Sequence, residues 1–204
     1  MLSKFFALIL LVLFSPLFLT AFGVIKLTSL GPFIFKQKRL GKNKKVFKMY
    51  KTRTMVANAQ QLKKKYLHLN EADGPVFKIR NDPRYTKIGK FLARTGIDEL
   101  PQLINVVRGD MALVGPRPLP VHEARLIPKI YQKRFSILPG ITSPWVVYGA
   151  HSLTFRQWME LDLKYIKEKS IKLDIQILFL TALLMLKNSL PKKIMEKPTI
   201  DKAE

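Results

Sequence analysis

The chain has 204 residues, enough for one domain with a sizeable core plus an anchoring segment. It contains no cysteine, which excludes disulfides, thiolate-bound zinc and thiol catalysis, and its three histidines, His68, His122 and His151, lack the short spacing of a His-based metal site. The formal net charge of +22 calls for an anionic partner: nucleic acid, an anionic membrane face or phosphorylated substrates.

Residues 5–25 read FFALILLVLFSPLFLTAFGVI, 21 positions without a charge. About 20 apolar residues span a bilayer core, and a soluble core helix of this length should show a polar face. A cleaved signal peptide fits poorly, because the apolar run is long and no clear small-residue cleavage site follows. A simple transmembrane span and a re-entrant hairpin both remain. Ser15-Pro16 sits at the midpoint. Proline removes a backbone donor and breaks or kinks a helix, and a serine hydroxyl can take up a released carbonyl. Lys4 precedes the segment and a basic run follows. Positive charge stays on the cytoplasmic side, so a hairpin keeps both flanks there and a span exports one.

Lys26 to Met55 reads as a linker feeding a β-hairpin. Phe33-Ile34-Phe35 and Val46 to Tyr50 are strand-like, with Leu40-Gly41-Lys42-Asn43 as the turn. Residues 36–65 hold twelve Lys or Arg and no Asp or Glu, a pattern that clamps anionic headgroups or simply forms a solvated basic surface. Residues 56–70 are expected to be helical, 71–86 to turn at Asp73-Gly74-Pro75 and Asn81-Asp82-Pro83, and 87–94 to form a short helix. A second helix is expected from Gly96–Asp98 to about Val107. Gly115-Pro116-Arg117-Pro118 marks a rigid loop. Residues 121–135 read as an amphipathic helix disturbed at Pro128, and 155–168 as a helix. Residues 171–187 are apolar but interrupted by Asp174 and Gln176, which favours an interfacial or core helix over a span. The tail from Asn188 is expected to be loose.

Asp98-Glu99 stands in Thr95-Gly96-Ile97-Asp98-Glu99-Leu100-Pro101-Gln102. Pro101 fits best near a helix start, which would put both acids in a first turn, where free N–H groups and the helix dipole favour anions. Plain helix capping predicts the same placement. Arg84, Lys87, Lys90 and Arg94 precede the pair, and Arg108 and Arg117 follow. Adjacent acids among cations suit phosphoryl transfer, in which one carboxylate attacks phosphorus and the other holds Mg²⁺. Arginine's planar fork suits phosphate.

In order along the chain, several stretches resemble the bacterial sugar transferase family, the monotopic polyprenyl-phosphate phosphoglycosyl transferases. They are the Ser-Pro-containing apolar segment, Phe47 to Met55, Asp82-Pro83-Arg84, Asp98 to Leu103, Gly109-Asp110-Met111, Val114 to Pro118, Leu138 to Thr142, and Leu161-Asp162-Leu163 with Tyr165. Each piece is weak, and the ordered set is specific. The resemblance implies that Asp98 attacks the β-phosphate of a UDP-sugar, giving a phosphosugar-aspartyl enzyme and UMP, and that polyprenyl (undecaprenyl) phosphate then takes the phosphosugar, starting cell-surface glycan assembly. Glu99 would bind Mg²⁺. Arg117 would lie near the nucleotide or phosphate, with Lys51, Arg53, Arg84 and Arg94 as further substrate-binding candidates.

The resemblance also implies a re-entrant anchor over residues 1–28, broken at Ser15 and Pro16, and a catalytic domain over 29–187 on the cytoplasmic face of the bacterial inner membrane. That domain would be α/β-associated and mainly helical, with a small β-hairpin and interfacial amphipathic helices in contact with anionic lipids. Homo-oligomerisation stays open, and no nucleic acid is expected. Departures from the family pattern occur at Ala93, at Gly96 and in Ser143-Pro144-Trp145-Val146-Val147, where sugar choice is in question. The rival readings are an anchored basic nucleic-acid-binding protein, which explains the charge but lacks a nucleic-acid motif, and a non-catalytic membrane scaffold.

Overall fold

The structure, a computed structural model, describes residues 2–149 and 152–189. The helices are α1 (Leu2–Leu13), α2 (Ser15–Thr28), α3 (Ala59–Lys65), α4 (Lys87–Thr95), α5 (Gln102–Arg108), α6 (Val121–Arg125), α7 (Pro144–Val147), α8 (Phe155–Glu168) and α9 (Ile171–Ser189). Two small sheets accompany them: β1 (Ile34–Leu40) pairs antiparallel with β2 (Val46–Thr52), and β3 (Ala112–Val114) pairs parallel with β4 (Gly140–Thr142). The protein is thus mainly helical with little sheet.

The apolar N-terminus breaks where its sequence requires. Pro16 has no N–H for the carbonyl of Val12, and the Ser15 hydroxyl donates to that oxygen instead, at 2.7 Å. Thr20 Oγ1 donates to Pro16 O at 2.8 Å. The two helices meet at 56°, and no single helix among the described residues is long and apolar enough to cross a membrane. The bend lets each half pack on a different part of the domain. Ala7, Leu10 and Leu11 of α1 pack with Leu103 and Val106 of α5 and with Phe47 and Met49 of β2. Ala21 and Ile25 of α2 pack with Phe33 and with Ile88 and Leu92 of α4. Phe5, Val12, Leu13, Leu19 and Leu27 remain exposed on the other side.

The hairpin is present and longer than expected, with Ile34 opposite Thr52 and Leu40 opposite Val46. Its connection holds a 3-10 turn, Lys42–Lys44, in which Asn43 and Lys44 take positive φ. The expected helix over 56–70 is α3 followed by a 3-10 turn, Leu67–Leu69. The one expected over 121–135 divides into α6 and a 3-10 stretch, Lys129–Ser136. Pro128 starts that second piece, as a residue with fixed φ and no donor can. The β3–β4 pair and α7 were not anticipated; elements of three or four residues are too short to impose a period. α8 begins with a capping box between Thr154 and Gln157. α9 buries Ile177 and leaves Ile171, Ile175, Phe179, Leu183 and Leu186 exposed. Asn188 and Ser189 complete α9, and the rest of the tail expected to be loose lies outside the described residues, as does His151.

After the 3-10 turn at Leu67–Leu69, the chain as far as α4 runs without helix or strand, and an ion pair sets its shape. Asp82 Oδ1 accepts from the Arg84 backbone N–H at 3.0 Å and from Arg84 Nε at 2.9 Å, and Arg84 Nη2 reaches Oδ2. The Arg84 guanidinium also donates to Ala59 O at 3.2 Å and lies 5.1 Å from the centre of the Phe77 ring. Burial opposes ionisation of Asp82, yet the hydrogen bonds and charge of Arg84 outweigh it and hold the carboxyl below its ordinary range. A carboxyl with a lowered folded pKa stabilises the fold fully above its unfolded pKa of about 4, and that contribution is lost as pH falls through the lower folded value. Asp82→Asn should therefore cost about 1.5–3 kcal/mol at pH 7. The gap to the parent protein, read from unfolding curves in detergent, should narrow below pH ~4.

Candidate active site

α4 ends at Gly96, whose φ of +77° is left-handed, a conformation that favours glycine at a helix C-terminus. The chain then makes a 3-10 turn, Ile97–Glu99, and Pro101 leads into α5. This corrects the expected helix from Gly96–Asp98 to Val107. Asp98 and Glu99 occupy the turn between two helices rather than the first turn of α5, because Gly96 resets the chain direction and proline occupies the position before Gln102. Gly96, with its left-handed φ, thus closes α4.

Asp98 is 1% exposed. Lys51 Nζ, from β2, lies 2.7 Å from Asp98 Oδ2 and 3.7 Å from Glu99 Oε1. Arg117 Nη2 donates to Glu99 Oε1 at 2.9 Å. Burial pushes the Asp98 carboxyl up; Lys51 opposes that shift and the neighbouring Glu99 charge adds to it. Glu99 is partly buried; desolvation raises its carboxyl, but Arg117, then Lys51 and Arg39, outweigh that and hold it below its ordinary range. Burial pulls Lys51 down, and the two carboxylates outweigh it, so the ammonium sits above its ordinary value. The pair therefore divides: the cations favour the ionised form of Glu99, while burial works against ionisation of Asp98 and Lys51 opposes that effect of burial.

Both cations are fixed by contacts far from them in sequence. Asn105 of α5, fully buried, accepts from Tyr50 N at 3.0 Å and donates to Lys48 O at 2.8 Å, which locks the strand of Lys51 to the helix that follows the dyad. The Arg117 carbonyl accepts from Arg134 Nη2 at 2.9 Å, and Arg134 is held by Asp162 Oδ2 at 3.0 and 2.7 Å, a buried pair. Pro116 O accepts from Gly140 N at 3.1 Å. A Cβ on Gly140 would lie 2.1 Å from the Gly115 backbone nitrogen, so only glycine permits this approach. The Arg117 guanidinium lies 5.5 Å from the centre of the Trp145 ring, and Trp145 stacks on Trp158 at 4.6 Å. Lys78 Nζ also lies over Trp145, at 4.5 Å. Burial, then Arg117 and Arg80, lower its pKa to about 8.

The structure brings Asp98, Glu99, Lys51 and Arg117 together. Arg84 is held by Asp82, and its side chain borders the same cleft. Arg53 also borders the cleft, with its guanidinium taken up at the end of α2: its Nη2 donates to Ser29 O at 2.8 Å and Ser29 Oγ at 2.7 Å, and its Nη1 donates to Leu30 O. Arg94 is exposed in the last turn of α4 and lines the outer part of the cleft. Ser15 and Pro16 make the helix break already described. Arg39, Asn105, Arg134, Asp162 and Trp145 were not singled out as site residues. Strand alternation carries the signal for Arg39. It stands opposite Phe47 in register, and residues 47, 49 and 51 share a face, so Arg39 shares the face of Lys51.

Among the described residues no group of three or more His, Cys, Asp or Glu could hold a metal ion. The donor set does fit Mg²⁺, which is held by one or two carboxylates with substrate phosphates and water completing its shell. Both cations approach Glu99 on Oε1.

An open cleft of about 2290 Å³ runs past Lys51, Tyr85, Glu99 and Arg117 toward apolar residues of α1 and α9, among them Phe6, Leu10, Leu178 and Met185. Asp98 does not line it; Lys51, which does, is the side chain that contacts Asp98.

The model of the bacterial sugar transferase family matches residues 1–188. The chain is 47% identical over 152 residues to the galactosyl transferase CpsE of Streptococcus agalactiae serotype III, covering 74% of this chain and 34% of that protein. It is 32% identical over 179 residues to the exopolysaccharide production protein ExoY of Sinorhizobium fredii, covering 86% and 79%. It is 39% identical over 184 residues to the UDP-glucose:undecaprenyl-phosphate glucose-1-phosphate transferase of Escherichia coli K12, covering 86% and 37%. The chain thus spans about a third of the first and last of these relatives and about four fifths of ExoY. With its dyad, its cations and its bent apolar segment all inside the matched residues, the chain belongs to the bacterial sugar transferase family.

Proposed function

We propose that this protein transfers a sugar 1-phosphate from a UDP-sugar to polyprenyl phosphate. The observation that carries the reading is the buried Asp98, paired with Lys51, beside Glu99, paired with Arg117, with Lys51, Glu99 and Arg117 on the wall of an open cleft. Relatives named for galactose and glucose phosphate transfer to undecaprenyl phosphate support the substrate classes. The cleft exceeds the roughly 300–1,000 Å³ of a single small-molecule pocket, which suits two substrates.

In the proposed reaction an Asp98 oxygen attacks the β-phosphorus, the bond from phosphorus to the bridging oxygen breaks, and UMP leaves with that oxygen. The phosphosugar is then held on Asp98 as an acyl phosphate. An oxygen of polyprenyl phosphate attacks the same phosphorus, and the Asp98 carboxylate leaves. Lys51 covers Asp98 before substrate arrives. A diphosphate in the cleft competes for its ammonium and uncovers the nucleophile. Arg117 takes phosphate oxygens with its planar fork. Mg²⁺ bound by Glu99 would supply charge neutralisation at the diphosphate. The exposed apolar residues of α1 and α2 suit a lipid environment. The anchor is read as re-entrant, with the catalytic residues on the cytoplasmic face of the inner membrane, where soluble nucleotide-sugar and lipid phosphate meet.

Detergent-solubilised protein given a panel of labelled UDP-sugars and undecaprenyl phosphate should release UMP and form a lipid diphosphate-sugar. Asp98→Asn should slow UMP release by at least about 10³-fold. An unchanged rate would remove Asp98 from the role of nucleophile, and UDP as product would mean ordinary glycosyl transfer. EDTA should stop the reaction and Mg²⁺ restore it, with Glu99→Gln needing more Mg²⁺ for half-maximal rate. If EDTA has no effect, the metal has no part in turnover. For the anchor, a cysteine placed at Ser3 should stay shielded from periplasmic thiol reagents in intact cells and become labelled once Ser15-Pro16 is changed to Ala-Ala. Labelling at Ser3 with Ser15-Pro16 intact would establish a span.

A further inference from the structure

The scheme above leaves Arg39 unused. Its side chain lines the same cleft as Lys51, Glu99 and Arg117. Nη1 donates to Pro118 O at 2.8 Å and Nη2 to Gln37 Oε1 at 2.6 Å. Both acceptors are neutral. Nε is buried and has no hydrogen-bond partner among the described residues. Burial, and after it the charge of Arg117, presses this guanidinium below its ordinary value, with Glu123 and Glu99 offsetting only part of the shift. A guanidinium keeps its proton in proteins, so a positive charge is held here at a cost.

Such a cost is relieved by an arriving anion. The surroundings are built to aim the cation rather than to neutralise it. Gln37, two residues away on the same strand face, holds Nη2 with an amide oxygen, where a glutamate would cancel the charge. Pro118 O comes from the loop that carries Arg117, so the two guanidinium groups are tied to one rigid segment. Two adjacent arginines on a cleft wall, one with a buried donor that has no partner among the described residues, match the oxygens of a phosphate group.

We infer that Arg39 is a phosphate-binding residue of the cleft, acting beside Arg117 on substrate phosphate oxygens. The inference rests on the transferase reading for its substrates. The phosphate belongs either to the nucleotide diphosphate or to the lipid acceptor, and the two half-reactions tell them apart.

Inorganic pyrophosphate titrated into the intact protein by calorimetry reads the anion site without turnover. Arg39→Met should bind it about tenfold more weakly or worse. Equal affinity would overturn the inference even if the parent protein released no UMP, an outcome that would separately sink the transferase reading. With turnover, a rise in KM for UDP-sugar and slower UMP release in a single turnover without acceptor would assign Arg39 to the nucleotide. A rise in KM for undecaprenyl phosphate alone would assign it to the lipid. Both KM values within about twofold of the parent protein's would overturn the inference, since the lost bond should exceed that. Arg39→Lys keeps the stem and charge and should give a smaller shift in the same KM, and it serves where Arg39→Met does not fold. In Arg39→Ala, millimolar guanidinium should restore rate, which a merely structural role would not allow.

Discussion

Two carboxylates on neighbouring residues cannot be buried together unless cations meet them. Each ion taken out of water costs several kcal/mol after relaxation, and the two acids repel. Here the compensation comes from outside the turn that carries them: Lys51 from β2 and Arg117 from the loop after β3. The hairpin and that loop must therefore converge on the α4–α5 turn, and much of the remaining structure is explained by what holds them there. Asn105 ties β2 to α5 through two backbone bonds. Arg134 and Asp162 grip the backbone of Arg117 and leave its guanidinium to Glu99.

Asp162 shows how far this support extends. Burial pushes its carboxyl up, and Arg134 opposes that shift without outweighing it. A second buried ion pair thus fixes the position of the first, a relay from α8 through the 3-10 stretch to the loop. Such pairs add little net stability over apolar packing, but they do fix geometry. The Trp145 ring backs both Arg117 and Lys78, so a change at Trp145 would reach the site through the cations it supports.

Legibility in the sequence followed the length scale of the signal. The apolar segment and its break at Ser15-Pro16 were readable because proline's missing donor acts within one turn. The hairpin was readable from two apolar stretches around a glycine turn, and Asp98-Glu99 from its cationic company. Deciding which cations serve the site required tertiary structure. Lys51 and Arg53 are two residues apart and look alike in sequence; one meets Asp98 and the other caps α2. Arg39 was hidden in a basic run whose other members, such as Lys36 and Lys38, face out. The exact start of α5 was missed because Gly96 takes a left-handed conformation that a sequence pattern for capping acids does not reveal.

The bent apolar segment and the dyad share one construction. The chain breaks at Phe14–Ser15 between α1 and α2, and again at Ile97–Glu99 between α4 and α5. α2 packs on α4, and α1 packs on α5. Each half of the bent segment therefore grips one of the two helices that flank the acids, and a straight segment could not reach both in this way. Arg53 strengthens the arrangement by joining the end of β2 to the end of α2, two residues beyond Lys51. A change in the bend would thus be felt as a change in the angle between α4 and α5, and hence in how Asp98 meets Lys51. The same proline that bends the apolar N-terminal segment also helps set the geometry of the acids.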